Sequence, residues 1–340
     1  MSAPHAARWT RRKSLDGLTV AGLVGLLGRR ASLVAAEPPR ETRVLRLLQT
    51  PSICEAPVQV ASDLLGGEGF SEVKYVRVTS SADGYKALAA GEVHLGQLFA
   101  GGLVTRIDAG DPLVLMAGIH VGCFELFGTE HVRSVRDLKG KTVAVPALGS
   151  SHHIFAESMA AYVGLDPRPH IHWAIHRGPD AMQRLAAGTI DGLIGFPPEP
   201  QELRAKQIGH VVVDTLRDHP WSQYFCCGIG ANRDFMRTPP VATKRALRAI
   251  LKATDDCALE PERAAQRIVD KGFTPRYDYA LQTMQEIPYN HWREYDPEDT
   301  VRFYALRLQE AGMIKHTPQQ IIAQGTDWRF FNELKKELKG

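Results

Sequence analysis

Residues 149 to 152 read Gly-Ser-Ser-His and follow directly on the apolar run Val143, Ala144, Val145 and its stop at Pro146. A glycine and two hydroxyls, set where a strand gives way to a helix, direct unpaired backbone N–H groups, O–H donors and the positive end of a helix dipole to one point. Such a point suits an anion. Gly149 permits close backbone approach, Ser150 and Ser151 can donate to sulfonate, carboxylate or phosphate oxygens, and His152 adds a charge-assisted donor when protonated. The same residues equally suit a plain helix N-cap with the histidines at its solvent edge, and the sequence leaves both open.

The elements that must position this loop occur twice. "KTVAVPALGSSHHIFAESMAAYVGL" and, upstream, "VLRLLQTPSICEAPVQVASDLL" each run strand, short polar loop, amphipathic helix. Each is followed by a second matching unit, "ADGYKALAAGEVHLGQL" at 82 to 98 and "PDAMQRLAAGTIDGLIGF" at 179 to 196. In these, Gly91 and Gly188 sit where a helix C-cap wants positive φ, and an apolar strand comes next. Alternating strands and helices predict two α/β lobes built on parallel sheets, with ligand loops at the carboxyl ends of the strands.

By that geometry other loops complete a cleft. Lobe one offers Thr50, Ser52, Cys54 and Glu55 after its first strand, Asp83 and Gly84 at the start of the repeated helix, and Gln97 and Phe99 at a strand end. Lobe two offers Phe196 and Glu199 in "GFPPEP", where prolines stiffen the loop, and Trp221 and Tyr224 lie near the return to lobe one. Each aromatic also suits core packing. Glu55 and Glu199 in one cleft favour a ligand with an amine or ring nitrogen over a simple anion.

Competing chemistry is thinly represented. His170 and His172 lie two apart on one strand face with His176 nearby, but without a partnered carboxylate or cysteine, so they read as a strand edge and no metal ligand is assigned. Cys54, Cys123, Cys226, Cys227 and Cys257 make no metal spacing, and the apolar neighbours of Cys123, Cys226 and Cys227 suggest buried, inert thiols. No Ser-His-Asp order or general-base constellation is specified, so no catalytic residue and no cofactor are assigned.

With 340 residues, 44% of them apolar, the chain can bury one large core or two moderate ones. Its net charge of +3 is unevenly spread: residues 1 to 36 hold Arg8, Arg11, Arg12, Lys13, Arg29 and Arg30 against Asp16 alone, so the remainder is slightly acidic. The basic excess belongs to a leader, and no nucleic-acid surface is suggested. Residues 1 to 36 read as a twin-arginine export signal, with Arg11 and Arg12, an apolar run from Leu15 to Leu27, and cleavage after Ala36. That run is too short to span a bilayer.

Apolar "PLVLMAGIHVGCFELFG" at 112 to 128 predicts the crossing out of lobe one, and "WSQYFCCGIGANRDFM" at 221 to 236 its return. Residues 42–125 plus 230–340 then form lobe one and 126–229 lobe two, with the helical C-terminal part, its stripe of Leu247, Ile250, Leu251 and Thr254 included, packing back on lobe one.

The order of "TPSICEAP", "DGYKALAAGEVHLG", "VRDLKGKTVAVPALGSSHH", "RLAAGTIDGLIGFPPEPQELRA" and "FCCGIGANRDF" resembles the substrate-binding proteins of ABC importers for nitrate, taurine and aliphatic sulfonates, within the thiamine-pyrimidine synthase-like superfamily. The resemblance covers nearly the whole chain beyond the leader. It implies the two-lobed periplasmic-binding-protein type II fold, with two crossing strands as hinge. It further implies a monomeric periplasmic protein that delivers a small organic solute, sulfonate-, carboxylate- or pyrimidine-like, to an ABC transporter permease, its only link to the membrane. The alternative is a thiamine-pyrimidine synthase-like enzyme on the same fold. The cysteine-rich run of those synthases is absent here, and "FCC" is only a fragment of it.

Overall fold

The computed structural model describes residues 41–339, so the leader and its arginines lie outside the described residues. The first sheet has the order β2-β1-β3-β10-β4, with β1 Val44–Gln49, β2 Glu72–Arg77, β3 Leu95–Phe99, β4 Leu113–Val121 and β10 Phe225–Asn232. The second has the order β7-β6-β8-β5-β9, with β5 Glu125–Gly128, β6 Lys141–Val145, β7 Ile171–Ile175, β8 Gly192–Gly195 and β9 His210–Asp214.

The two orders are the same pattern. In each, three strands joined by helices pair in parallel, and the fourth strand, antiparallel to the third, belongs to a crossing between sheets. The sheets are therefore mixed rather than wholly parallel. The repeat covers only the strand-helix units, whereas β5 and β10 arrive from the other sheet and enter in the opposite sense. Gly91 and Gly188 follow equivalent helices, Ser81–Ala89 and Gly178–Ala186, at φ of 71° and 66°, the conformation the repeated Leu-Ala-Ala-Gly motif predicts.

All nine residues of β4 are buried, as are all eight of β10, because both faces of this part of the sheet are covered. The helices Ala100–Asp108, Pro318–Gly325 and Arg329–Glu337 pack on β4, while the long helix Pro240–Leu259 lies against the helices that follow β1, with Leu247, Ile250, Leu251 and Thr254 fully buried. A fully buried leucine or isoleucine contributes about 1.5–3 kcal/mol, so this stripe anchors the C-terminal helices to the helices that follow β1. Among the described residues no helix is long and apolar enough to cross a membrane.

The chain leaves the first sheet through Gly122, Cys123 and Phe124, and Cys123 holds a φ of 115°. A non-glycine residue in that region is strained and persists only where its surroundings fix it. The strained residue lies between the two sheets, where the carboxyl ends of β1, β3, β6 and β8 converge.

Candidate functional site

The convergence encloses a cavity of about 20 Å³, room for roughly one water. Of the residues expected to bind ligand, Thr50, Ser52, Cys54, Glu55, Phe99, Ser151 and Phe196 line it, joined by Ser81, Leu98, Cys123, Phe124 and Cys227.

On the lobe-one side the loop after β1 folds into a short 3-10 turn, Ile53–Glu55, that turns its polar groups inward. The Thr50 hydroxyl lies 2.5 Å from the Glu55 carboxyl, which also accepts the Thr50 N–H at 3.3 Å. Burial, reinforced by Cys54, pushes the Glu55 carboxyl well above its usual range despite the Thr50 hydrogen bonds. The carbonyl of Cys54 accepts from Gln97 Nε2 at 2.9 Å and from the Tyr289 hydroxyl at 3.0 Å, which fixes the turn.

On the lobe-two side, Ser150 and Ser151 have different jobs. Ser150 caps the helix Ser151–Tyr162, its hydroxyl accepting from the His153 N–H. Ser151 reaches across the cleft: its N–H donates to Ser81 Oγ at 2.8 Å, and its hydroxyl lies 3.0 Å from that of Tyr85. Gly149, at φ of 74°, gives the loop its turn, with open space where a Cβ would stand. His152 is 4% exposed, lies over Phe196 with ring centroids 4.3 Å apart, and has Nε2 3.6 Å from Glu199 Oε2, too far for a hydrogen bond. Both ring nitrogens of His152 and this Glu199 oxygen are buried without a hydrogen-bond partner. Buried polar atoms in that state are costly.

Other expected residues serve the fold. Asp83 is exposed and pairs with the cap Ser80 at 2.7 Å. Gly84 packs against β1, where a Cβ would stand 2.9 Å from Leu48. Trp221 packs edge-on against Phe155, and Tyr224 stacks on Phe303 at 4.0 Å. His172 is exposed on the edge strand β7, and His176 pairs with Asp180 at 2.7 Å.

What spacing did not suggest is a sulfur cluster at the floor of the cleft. Cys54 after β1, His120 in β4, Cys123 in the crossing and Cys227 in β10 bring one ligand-capable atom each within 4.8 Å of all the others, and all four are buried. Cys226 Sγ stands 3.3 Å from Cys123 Sγ. All five cysteines are buried free thiols, Cys123, Cys226 and Cys227 as expected, but four of the five form one polar network rather than separate inert sites. Burial alone lowers the His120 pKa, yet Cys227 and Cys54 outweigh it and raise the imidazole to about 10. The Cys227 thiol is lowered, chiefly by the hydrogen bond from Cys123.

The lobes are also joined at the rim. Arg204, on the lobe-two helix Glu199–Ala205, forms a forked ion pair with Glu286 of the helix Tyr277–Glu286 at 2.8 and 2.9 Å and pairs with the buried Glu125. Gln201 adds a hydrogen bond to Glu286 at 3.0 Å, and the Ile53 N–H donates to the Pro197 carbonyl at 3.0 Å.

Comparison with known proteins gives this cleft a lineage. The periplasmic nitrate-binding protein NrtA from Synechocystis PCC 6803 superposes with a TM-score of 0.74 at 14% identity, over 89% of this chain and 90% of that one. The alkanesulfonate-binding protein SsuA from Xanthomonas axonopodis pv. citri, bound to MOPS, gives 0.65 at 15% identity, over 82% of this chain and 96% of that one. At these identities the likeness is one of fold, the periplasmic binding protein fold. In sequence, 222 residues are 25% identical to the 4-amino-5-hydroxymethyl-2-methylpyrimidine phosphate synthase THI12 of Saccharomyces cerevisiae, over 61% of this chain and 63% of that protein's length. The NMT1/THI5-like family model matches residues 68–264, more than half of the chain and inclusive of β2 to β10, so the protein belongs to the NMT1/THI5-like family.

Proposed function

We propose that the protein is an extracytoplasmic solute-binding component of an ABC importer whose cleft takes a small heteroaromatic amine of the pyrimidine type. The carrying observation is that both ring nitrogens of buried His152 and the Oε2 atom of partly buried Glu199, 3.6 Å from His152 Nε2, make no hydrogen bond beside Phe196 and Phe124. A flat ring stacked on these aromatic faces would satisfy the Glu199 oxygen with an exocyclic N–H and His152 with a ring nitrogen or hydroxyl. Thr50, Ser52 and Glu55 supply further polar groups from the other lobe. A simple anion matches this set less well, because Glu199 and the uncommitted Gln97 Oε1 are acceptors. Export by the leader, function as a monomer and delivery to a permease belong to the same reading.

A thermal-shift series of 4-aminopyrimidines, taurine, alkanesulfonates and nitrate tests it, since ligand at 100 times its Kd adds about 2.7 kcal/mol of stability. Stabilisation by the sulfonates or nitrate, and not by the pyrimidines, would overturn the ligand class. The yeast relative motivates a second reading, a pyrimidine-forming enzyme; formation of a phosphorylated pyrimidine by the purified protein would establish it.

A further inference from the structure

We propose that Cys54, His120, Cys123 and Cys227 form a binding site for a thiophilic, four-coordinate metal ion of the zinc class. Three sulfurs and one imidazole nitrogen match the Cys3His set that holds such an ion tetrahedrally. Their ligand-capable atoms lie within 4.8 Å of one another. A tetrahedron with metal–sulfur distances of about 2.3 Å has edges of roughly 3.8 Å, so the set closes on an ion with shifts of about an ångström or less.

A second, independent observation points to a ligand there. His120 is 1% exposed, and its Nε2 has no hydrogen-bond partner, while Nδ1 stands 3.3 Å from the Val121 carbonyl oxygen. A proton kept on Nδ1 and donated to that oxygen lets Nε2, once it has lost its own proton, offer its lone pair to a metal, the usual division of labour in a ligating histidine. Cys123, at a φ of 115°, places its thiol in the cluster. Cys54 is held from behind, its carbonyl accepting from Gln97 and Tyr289. The ligands come from the loop after β1, from β4, from the crossing segment and from β10, so a bound ion ties both connections between the sheets to the floor of the cleft. Binding displaces a proton from each coordinating thiol and from Nε2 of the imidazolium, and requires no oxidant. The site stands whether the cleft above it holds a solute or a substrate.

The adjacent Cys226 defines the competing fate, a Cys123–Cys226 disulfide that would remove one ligand. The test uses the full chain purified under reducing, oxygen-free conditions, with Zn2+ and Co2+ as probes. The expected result is one Zn2+ per chain by elemental analysis and, with Co2+, a sulfur-to-metal charge-transfer band together with tetrahedral d–d bands. Cys227→Ser and His120→Ala should each weaken Zn2+ by more than about 100-fold, beyond the effect of second-shell changes. Cys226→Ser, which cannot form the competing disulfide, should retain stoichiometric binding, and Cys257→Ser should match the parent. Circular dichroism on every variant separates lost ligation from lost fold. The proposal is overturned if the folded Cys226→Ser protein binds no Zn2+ or Co2+, if binding survives Cys227→Ser and His120→Ala unchanged, or if the Co2+ spectrum lacks thiolate charge transfer.

Discussion

The hydroxyl of Ser151 meets the hydroxyl of Tyr85 at 3.0 Å, a bond between the two lobes. Tyr85 also lies 3.2 Å from the Phe99 carbonyl and donates to it, so Ser151 is the donor to the tyrosine oxygen. The cap of the following helix is Ser150 instead. Ser151→Ala should therefore leave thermal stability nearly unchanged but loosen closure, weakening ligand by up to about tenfold, the worth of one hydrogen bond. Ser150→Ala should lower stability by about 1 kcal/mol. Titration calorimetry and melting curves on both variants separate the roles, and equal effects in the two would contradict the division.

Tyr85 reaches its position because residue 102 has no side chain. A Cβ built on Gly102 would stand 1.9 Å from the Tyr85 hydroxyl oxygen and 2.3 Å from Cζ, and the tyrosine is buried. Gly102→Ala should thus cost about 1–3 kcal/mol, as overpacking does, and break the bridge to Ser151. The double variant Gly102→Ala, Tyr85→Phe should not recover stability, because the clash includes ring carbon. Denaturant unfolding of the two proteins checks this.

These residues also mark how far the sequence could be read. The repeated Leu-Ala-Ala-Gly motif exposes the twofold strand-helix plan because a helix C-cap is a local requirement, visible at Gly91 and Gly188 without knowledge of the rest of the chain. The Gly-Ser-Ser-His loop was locatable for the same reason, but whether Ser150 or Ser151 caps depends on a partner, Tyr85, more than 60 residues away. The sulfur cluster was invisible: Cys54 and Cys227 meet only because β10 inserts between β3 and β4, and no local spacing encodes that insertion. Trp221 and Tyr224 were ambiguous between ligand stacking and packing, and the helix Pro297–Glu310 supplies the Phe303 ring that engages both.

His153 and Glu157, one helical turn apart, form a buried pair with Nδ1 3.2 Å from Oε2. Burial lowers His153 to about 4 and raises Glu157 to about 7, so near pH 5.5 the pair is neutral, with the carboxyl proton and the Gly149 N–H both directed at Nδ1. The unfolded chain holds one proton at that pH as well, on the histidine, so the pair contributes little pH dependence between about 4.5 and 6.5. Glu157→Gln removes that balance. The unfolded histidine still gains a proton below about 6.5 and the folded one does not, so the variant should lose stability relative to the parent as pH falls toward 4, by up to about 3 kcal/mol. Above pH 7 the order reverses, because the parent must then hold an ionised, buried Glu157. Urea unfolding of both proteins at pH 4.5, 5.5, 6.5 and 7.5 measures the difference, and parallel curves would refute the neutral pair.

The rim ion network makes a prediction of unequal partners. Arg204 is shared between Glu286, across the cleft, and Glu125, a buried carboxylate of its own lobe whose pKa burial raises against the arginine's pull. Removing the arginine strands Glu125, so Arg204→Met should destabilise by about 2–3 kcal/mol, toward the range for breaking a buried pair. Glu286→Ala leaves Arg204 with Glu125 and removes only a half-exposed contact, so it should cost about 1 kcal/mol or less. Yet Glu286 belongs to the connection across the cleft, and its loss should shift the ligand-free protein toward an open form. A smaller binding-competent fraction raises the apparent Kd in proportion. Small-angle scattering should then show a larger radius for Glu286→Ala than for the parent without ligand, and the same radius once a stabilising ligand is added. An unchanged ligand-free radius in that variant, with its stability intact, would mean that closure rests on Ser151, Tyr85 and the Ile53–Pro197 bond, with the rim pair along only as a passenger.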